Sequence, residues 1–312
     1  MLTPRWLADG VSWMVVLAYL GIVLGRLARW SWLGDLAGHF RVQYAVVLLG
    51  AAPVLLSARR LPEAAMAGSV GLLSLHSLAP FYRKRSAPAS RATRRVLLAN
   101  VLWQNRSYPL LQRAIREAQP DVIVLIETTA TWIDALAPLK ADYPHAMSAM
   151  SARGFGILVL SKTAFAQVEV VWLGEAGFPS IVAQVPLEGH RVTIVATHPY
   201  SPITPRRARL RNQQLQAVAA FIQRQPTPLM MLGDLNTTPW APAFEDFLHD
   251  TKLRDSSQGF GLQPTWPTAF PVFQIPLDHC LVSSEICITR RQVGPYIGSD
   301  HYPVIVDFSV VP

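Results

Sequence analysis

Two patterns of hydrophobic residues divide the chain. Up to residue 82 there are three long apolar stretches, at about residues 10–26, 42–58 and 64–82, and charged residues stand only at their borders. From residue 96 onward, short apolar runs alternate with amphipathic segments of helical periodicity. The pattern therefore indicates a membrane region at 1–82, a linker at 83–95 and a separate folded domain at 96–312.

The three apolar stretches predict transmembrane helices. A helix that crosses a bilayer needs about 17–25 mainly apolar residues, and these stretches meet or approach that length. A cleaved signal peptide would explain the first stretch but neither of the others. Buried core helices are the alternative for all three. We predict about three spans, and hence a multi-pass protein with the membrane as a partner.

The basic residues of the linker and of the loops between the apolar stretches bear on which side of the membrane the C-terminal domain lies. Residues 83–95 read RKRSAPASRATRR, which predicts a segment held at a membrane surface by anionic headgroups. Counting positive residues favours a cytoplasmic C-terminal domain. A tight hairpin at Arg59–Arg60 would serve equally well as the cytoplasmic turn, so the side of the membrane is left open.

Residues 96–312 predict an α/β domain. Nine apolar, largely β-branched runs are typical of strands, and four amphipathic segments are typical of helices. This many strands would form two packed sheets flanked by helices. The predicted strands are Arg95–Val101, Asp121–Glu127, Gly156–Leu160, Val168–Trp172, Ile181–Val185, Arg191–Thr197, Leu229–Leu232, Leu277–Val282 and Val304–Val310. The predicted helices are Pro109–Ala118, Trp132–Leu139, Pro205–Arg224 and Pro242–His249.

Composition and charge narrow the class of protein. With 51% hydrophobic and 15% charged residues among 312, the chain cannot be mainly disordered. The net charge of +8 comes from the first 95 residues, where 12 Lys+Arg face 3 acids, whereas the rest has 16 against 17. The C-terminal domain therefore lacks the basic excess typical of proteins that bind DNA without sequence preference. Two cysteines exclude a disulfide framework.

Polar side chains stand at the ends of six predicted strands. Each alone has an ordinary structural explanation; an Asp-x-Asn sequence, for example, usually forms a turn. Together they form a set rich in carboxylate and amide oxygens, which suits Mg²⁺ or Mn²⁺, with histidines for proton transfer. Such a set is suited to phosphoester hydrolysis. Its members are Asn100, Asn105, Glu127, His198, Asp234, Asn236, Asp278, His279, Asp300 and His301.

Six short motifs contain most of these residues in a fixed order: Asn100–Val101, PDVIVLIE ending at Glu127, THP at 197–199, GDLN at 233–236, LDH at 277–279 and SDHYP at 299–303. This ordered set resembles the endonuclease/exonuclease/phosphatase (DNase I-like) superfamily. It implies a four-layer sandwich of two mixed β-sheets flanked by helices. It also implies a metal-dependent hydrolase acting on phosphoester bonds. A bacterial membrane-anchored subgroup has a similar layout, which implies a location in the bacterial inner membrane.

The resemblance implies a divalent cation, Mg²⁺ or Mn²⁺, and a set of ligands for it. Glu127 corresponds to the principal metal ligand of the family. Asn100 stands beside it, and Asp300 would complete the shell.

The resemblance also implies catalytic roles. Asp234 would orient or deprotonate the attacking water, and Asn236 would hold a phosphate oxygen. His301, with Asp278 as its carboxylate partner, would donate to the phosphate or act as a base. His198 would contact the phosphate or protonate the leaving oxygen.

The remaining polar residues have weaker assignments. Asn105 and His279 are expected to hydrogen-bond in the core. Four arginines, at 206, 207, 209 and 211, open the helix after THP, and we predict that Arg206 binds a substrate phosphate. A solvated helix face is the alternative for at least two of them.

Function is therefore predicted at the level of a membrane-anchored, metal-dependent phosphodiesterase. The substrate is left open among nucleic acid, a lipid headgroup and a small molecule, and no obligate protein partner is inferred. The alternative is a catalytically inactive, membrane-tethered binding module on the same fold. A transporter is disfavoured because the apolar part is short.

Overall fold

A computed structural model describes residues 4–83, 93–187 and 189–311 of the chain. Most of the predicted basic linker, residues 84–92, lies outside the described residues. Within the described ranges the chain forms nine α-helices and twelve strands. The helices are α1 (Arg5–Arg26), α2 (Trp32–Gly38), α3 (Arg41–Ser57), α4 (Leu61–His76), α5 (Ala79–Tyr82), α6 (Tyr108–Ala118), α7 (Ala130–Ala135), α8 (Pro205–Ile222) and α9 (Pro242–Thr251). The strands are β1 (Arg94–Asn100), β2 (Val122–Thr128), β3 (His145–Met150), β4 (Gly156–Ser161), β5 (Gln167–Trp172), β6 (Pro179–Leu187), β7 (His190–Ala196), β8 (Leu229–Asp234), β9 (Arg254–Asp255), β10 (Asp278–Val282), β11 (Ile286–Val293) and β12 (Val304–Val310).

The strands form two mixed six-stranded sheets. The first has the order β11-β12-β1-β2-β4-β3 and the second the order β5-β6-β7-β8-β10-β9. Strand β1 pairs in parallel with β2, and β7 pairs in parallel with β8, whereas the other described pairs are antiparallel. The carboxyl ends of the two parallel pairs supply much of the site described below.

Side chains that alternate between the two faces of each sheet produce four layers, with the two sheets in the middle and helices on both outer faces. Side chains at alternate positions of a strand point to opposite faces of its sheet. In β1, Val96 and Leu98 belong to the core between the sheets, while Leu97 packs with α6 and α7. In β7, Ile194 enters the same central core, while Val195 packs with α8 and α9. The predicted arrangement of two sheets between helices is confirmed.

All nine predicted strands and three of the four predicted helices of this domain are present, with shifted ends. The predicted helix Trp132–Leu139 is instead the end of α7 followed by a 3-10 turn at Ala137–Leu139, where Pro138 lies in the first turn. Strands β3, β9 and β11 were not predicted. The sequence of β3, HAMSAM, is poor in β-branched residues, β9 has two residues, and β11 carries adjacent Arg290 and Arg291 in an edge strand. Tertiary pairing with β4, β10 and β12 creates these strands rather than local preference.

The expectation of about three transmembrane helices is wrong. Among the described residues, α1 is long and apolar enough to cross a membrane, and the pair α2 and α3, bent by 58°, meets the criterion only if taken as one span. Helix α4 has 16 residues, about 24 Å, which is short of a hydrocarbon core of about 30 Å. The apolar stretch continues beyond His76, but the helix breaks before α5, where Pro80 lies in the first turn.

The N-terminal helices pack on each other and on the sandwich. Helices α1, α3 and α4 share a small core that includes Val15, Leu48 and Ala67. Contacts with the sandwich include the Arg29–Asp246 ion pair at 2.7 Å and a hydrogen bond from Gln43 Nε2 to the Gln274 carbonyl at 2.9 Å. Further backbone bonds from Gly259 and Gly261 to the Phe81 carbonyl join the two regions.

Gly233 in β8 gives a test of the packing between β7 and β8. A Cβ atom at this position would lie 1.9 Å from the Thr197 carbonyl oxygen, which is backbone and has no room to withdraw. We expect Gly233→Ala to lower the free energy of unfolding of the full chain by about 3 kcal/mol, measured by denaturant unfolding in detergent. Gly50→Ala in α3 is the control, since its Cβ would meet nothing within 4 Å. It should change stability by less than about 1 kcal/mol. Equal effects of the two substitutions would contradict the strand packing.

Candidate active site

The polar residues predicted at strand ends meet at one end of the two sheets. Asn100 ends β1, Glu127 lies near the end of β2, and Asp234 ends β8. Asp278 opens β10 directly opposite Asp234. The loops next to β7 and β12 add His198 and His301. All of these side chains are buried except that of Glu127, which is half-buried.

Glu127 lies at the centre of a hydrogen-bond network. Asn100 Nδ2 donates to Glu127 Oε1 and to Asp234 Oδ2, each at 3.1 Å, and so joins the two sheets. His198 Nε2 is 3.4 Å from Glu127 Oε1, and the Trp103 amide donates to Glu127 Oε2 at 3.3 Å. The three partners fix the position of the carboxylate.

Unusual backbone conformations direct the side chains of Glu127 and Asn236 towards the site. The pairing of β2 with β4 shifts register between Ile126 and Thr128, so Glu127 is the extra residue of a β-bulge with φ of 61°. Such bulges redirect a side chain out of the regular alternation. Asn236 has φ of 50°, a conformation that asparagine tolerates better than most residues. Both residues are held in place by the surrounding hydrogen bonds.

His301 and Asp278 form a buried ion pair that faces Asp234. His301 Nδ1 donates to Asp278 Oδ2 at 2.8 Å, and His301 Nε2 lies 3.6 Å from Asp234 Oδ2. Burial alone would lower the pKa of His301, but the two carboxylates outweigh it and raise the pKa to about 10. Burial would raise the pKa of Asp278, yet His301 keeps it below its ordinary value. The imidazole is therefore a cation at neutral pH.

His198 bridges Glu127 and Asp234 from the other side. Its Nδ1 donates to the Asp234 carbonyl at 3.1 Å. Although burial would lower the pKa of His198, the bond to Glu127 and the charge of Asp234 raise it to about 9. In turn, the hydrogen bond and charge of His198 hold the pKa of Glu127 at about 2 in spite of burial.

The pKa of the Asp234 carboxyl group is raised above its ordinary value. Burial raises its pKa to about 6, and the neighbouring Asp278 adds to this, although His301 and His198 act against it. At neutral pH Asp234 is mainly ionised, with a proton affinity close to that needed by a general base.

The acidic residues of the site suit a divalent cation. Four carboxylates, from Glu127, Asp234, Asp278 and Asp300, lie around two imidazoles, so next to the histidines the acidic groups outnumber the basic ones even when both histidines are protonated. The possible ligand atoms of Asp234, Asp278 and His301 lie within 4.8 Å of one another. His301 occupies Asp278 Oδ2, and Asp278 does not line the cavity, whereas Glu127, Asp234 and Asp300 do and are therefore the better placed candidates to hold a cation. Carboxylate oxygens are the ligands preferred by Mg²⁺ and Mn²⁺.

Asp300 and Asn236 also border this cavity, which has a volume of about 350 Å³. Trp266 Nε1 donates to Asp300 Oδ2 at 3.0 Å and orients the carboxylate. The Asn236 amide nitrogen donates to the Pro199 carbonyl at 3.1 Å, so the side chain lies between the THP and GDLN motifs. The structure thus brings both predicted residues to the site.

Three other predicted residues lie elsewhere. Asn105 donates to the Val101 and Ile297 carbonyls, and His279 Nε2 donates to the Thr237 carbonyl at 2.8 Å, so both support backbone, as expected. Arg206 is exposed and lies outside the cavity lining, whereas the next residue, Arg207, borders the cavity beside Tyr200.

One of the four arginines noted in the sequence has a buried, positioning role that the sequence analysis did not predict. Arg211 is 1% exposed and donates from Nη1 to the Asn236 carbonyl at 2.7 Å and from Nη2 to Asp35 Oδ2 at 2.6 Å. Its spacing from Ala208 and Leu215 places it on the buried face of α8, and this periodicity was the available signal. Asp35 belongs to α2, so an N-terminal helix is tied to the loop that carries Asn236.

Comparison with known proteins gives one family. The model of the endonuclease/exonuclease/phosphatase family matches residues 97–301. No curated protein sequence is similar enough to the chain to match it.

Three solved structures of named proteins share the fold. Humanized TDP2 of D. rerio has a TM-score of 0.59 and 17% identity, over 70% of this chain and 99% of its own. The human Nocturnin catalytic domain with bound sulfate has a TM-score of 0.60 and 18% identity, over 74% and 98%. A mannosyl-6-phosphatase of Bacteroides thetaiotaomicron has a TM-score of 0.56 and 17% identity, over 69% and 99%. These similarities establish a common fold.

The raised pKa values predict how stability depends on pH. In metal-free protein, His301 and His198 keep protons that the unfolded chain releases above its ordinary pKa of 6.5. Their stabilisation is complete below about pH 6.5 and is lost as pH rises towards 9–10. We expect the free energy of unfolding in EDTA to fall between pH 6.5 and 9.5, and to fall less in His301→Gln. The exposed His249→Gln serves as control and should follow the wild type. A wild-type profile without this fall would show that the two histidines are not held as cations.

The buried pair Asp35–Arg211 gives a second test. Removing one partner leaves a buried charge unpaired, which typically costs about 3–5 kcal/mol, whereas replacing both by apolar residues is often tolerated. We expect Asp35→Leu to lower the thermal denaturation temperature of the full chain, and Asp35→Leu with Arg211→Met to recover part of the loss. Additive effects in this double-mutant cycle would rule out a direct interaction.

Proposed function

We propose a function for this chain, which belongs to the endonuclease/exonuclease/phosphatase family and is a phosphoester hydrolase. In this proposal it cleaves a phosphodiester with the help of Mg²⁺ or Mn²⁺. The enzyme is also anchored in a membrane. The observation that carries the proposal is the buried network in which Glu127, Asp234 and the His301–Asp278 pair face one cavity. A binding surface has no need for a carboxylate of raised pKa facing a buried histidine cation.

Glu127 and Asp300 would hold the cation in this proposal. Asn100 would support it by donating to Glu127 and Asp234, since its Oδ1 already accepts from the Leu102 amide at 3.1 Å. When bound, the cation would stabilise negative charge that builds up on the phosphate oxygens.

The proton transfers would be shared between Asp234 and His198. Asp234 takes a proton from water as the water oxygen bonds to phosphorus and the bond between phosphorus and the leaving oxygen breaks. His198 gives a proton to that leaving oxygen, and exchange with solvent restores both groups. Such proton transfers contribute about 10²–10⁴-fold to rate.

The remaining polar groups would bind the phosphate. His301, held as a cation by Asp278, would donate from Nε2 to a phosphate oxygen, and Asn236 would hold another. Fixed donors of this kind stabilise charge that develops in the transition state. Of the helix α8 arginines, Arg207 replaces Arg206 as the candidate for phosphate contact, since it borders the cavity.

The N-terminal helices would anchor the enzyme. Helix α1 exposes large apolar side chains, among them Trp13, Leu17 and Leu20, each more than half exposed. The same composition occurs in signal sequences and in core helices, so membrane insertion, and the bacterial inner membrane as its site, belong to the proposal. Contiguous exposed apolar surface of this kind is typical of contact with lipid or protein.

A hydrolysis assay with the full chain in detergent tests the proposed function. Bis-p-nitrophenyl phosphate, plasmid DNA and sphingomyelin would be supplied with Mg²⁺ or Mn²⁺, and p-nitrophenyl phosphate would be included because one similar structure is a phosphatase. We expect activity that EDTA removes and that His301→Ala and Asp234→Asn each reduce by about 10³-fold.

Matched controls separate catalysis from folding. His249→Ala and Asp142→Asn change exposed residues of the same types and should retain activity. Activity unchanged in His301→Ala would contradict the assigned roles. Absence of hydrolysis of every substrate, with metal bound, would favour a binding module on this fold.

A further inference from the structure

The lining of the cavity combines ionic and apolar side chains. The ionic ones include the acidic residues and histidines described above. The hydrocarbon and aromatic ones are Leu36, Phe40, Phe155, Phe178, Tyr200 and Ile203. A soluble phosphate compound would leave the apolar part of the lining in contact with water, whereas an amphiphile would cover it.

Two of the apolar residues come from the N-terminal helices. Leu36 lies in α2 and Phe40 directly precedes α3, so the segment that joins the helices forms one wall of the cavity. Polar bonds from the residues between Leu36 and Phe40 fix this wall to the loop after β8. His39 Nδ1 is 3.0 Å from Thr238 Oγ1, and Trp240 Nε1 donates to the Gly38 carbonyl at 2.9 Å. The N-terminal region is therefore a built part of the cavity.

Exposed apolar residues continue from this wall to the surface. The turn at 270–273 exposes Phe270, Val272 and Phe273 by 63%, 77% and 57%. Phe273 meets Phe40 edge to face, with 6.4 Å between ring centroids. An apolar path thus leads from the cavity, past Phe40, to a turn that lies beside the helices with the exposed apolar faces.

Charge does not favour a polynucleotide in the same position. Residues 96–312 carry 16 basic against 17 acidic residues. Among the described residues that border the cavity, the arginines are Arg153 and Arg207, both next to the Tyr200 ring. Two arginines suit a single phosphate group, whereas binding a nucleic-acid backbone requires a continuous basic track.

We propose that the substrate is a lipid phosphoester, with its phosphate at Glu127, Asp234 and His301 and a hydrocarbon chain along Leu36 and Phe40. The proposal rests on the proposed function for the cleavage itself. It adds that the N-terminal helices determine specificity by supplying the wall that binds the chain, and that the substrate enters from the membrane side past Phe273.

Paired substrates test this proposal on the full chain in detergent with Mg²⁺. Dioctanoyl phosphatidylglycerol and glycerophosphoglycerol share one phosphodiester and differ in the acyl chains, and plasmid DNA is a third substrate. We expect kcat/KM to be higher for the lipid. In Phe40→Ala the ratio of kcat/KM for the lipid to that for glycerophosphoglycerol should fall by about tenfold, because apolar contacts in a pocket discriminate by this order. Leu56→Ala, on an exposed position of α3 outside the cavity, should leave the ratio unchanged.

A binding measurement on the wild-type chain does not depend on turnover or on the folding of a variant. Dioctanoyl phosphatidic acid with a diazirine in one acyl chain should label the tryptic peptide of residues 30–41. Unmodified dioctanoyl phosphatidic acid should compete, and glycerol 3-phosphate should not.

The outcomes separate this proposal from the proposed function. Hydrolysis of glycerophosphoglycerol or DNA at least as efficient as that of the lipid, with a ratio unaffected by Phe40→Ala, would overturn the lipid proposal and leave the hydrolase standing. Labelling confined to α1 or α4 would also overturn it. Competed labelling of residues 30–41 without hydrolysis of any substrate would support lipid binding and refute the proposed cleavage.

Discussion

Excess negative charge in a buried space is the constraint on which the site depends. Four carboxylates meet two imidazoles at one end of the sandwich, and buried charges are tolerated only when they are paired or bind a cation. Protonation of His198 and His301 compensates two of the four. A divalent cation would balance the remaining two charges, as proposed above. Burial, together with the neighbouring Asp278, raises the pKa of Asp234, so the same buried cluster also supplies a candidate base.

The fold maintains this unfavourable arrangement by joining elements that are far apart in sequence. Asn100 connects the first sheet to Asp234 of the second, and the bulge at Glu127 directs its carboxylate between them. Arg211 extends the network to Asp35 in α2. Helix α2 is therefore joined through Arg211 to the loop that carries Asn236, and a displacement of α2 would disturb that loop.

Much of this organisation could be predicted from the sequence because it depends on local patterns of apolar and polar residues. Apolar runs predicted every central strand. The polar residues at the strand ends, together with the family resemblance, predicted that Glu127, Asp234 and His301 share one site. Features that depend on tertiary context were not predictable. Edge strand β11 lacks an apolar pattern, and the bulge at Glu127 leaves no trace in composition. The apolar stretches at 42–58 and 64–82 predicted helices, but their apolar composition did not show where each helix would end. It also did not show that Phe40 would line the cavity of the site.

The most direct test of the central claim is a binding titration of Mn²⁺ to the full chain, followed by electron paramagnetic resonance. The account predicts a saturable site in the wild type that Glu127→Gln weakens by at least about tenfold. Glu117→Gln, which alters a surface pair with Arg113, should bind Mn²⁺ as the wild type does. Equal Mn²⁺ affinity in wild type and Glu127→Gln would contradict the claim that the charge gathered at the strand ends exists to hold a cation.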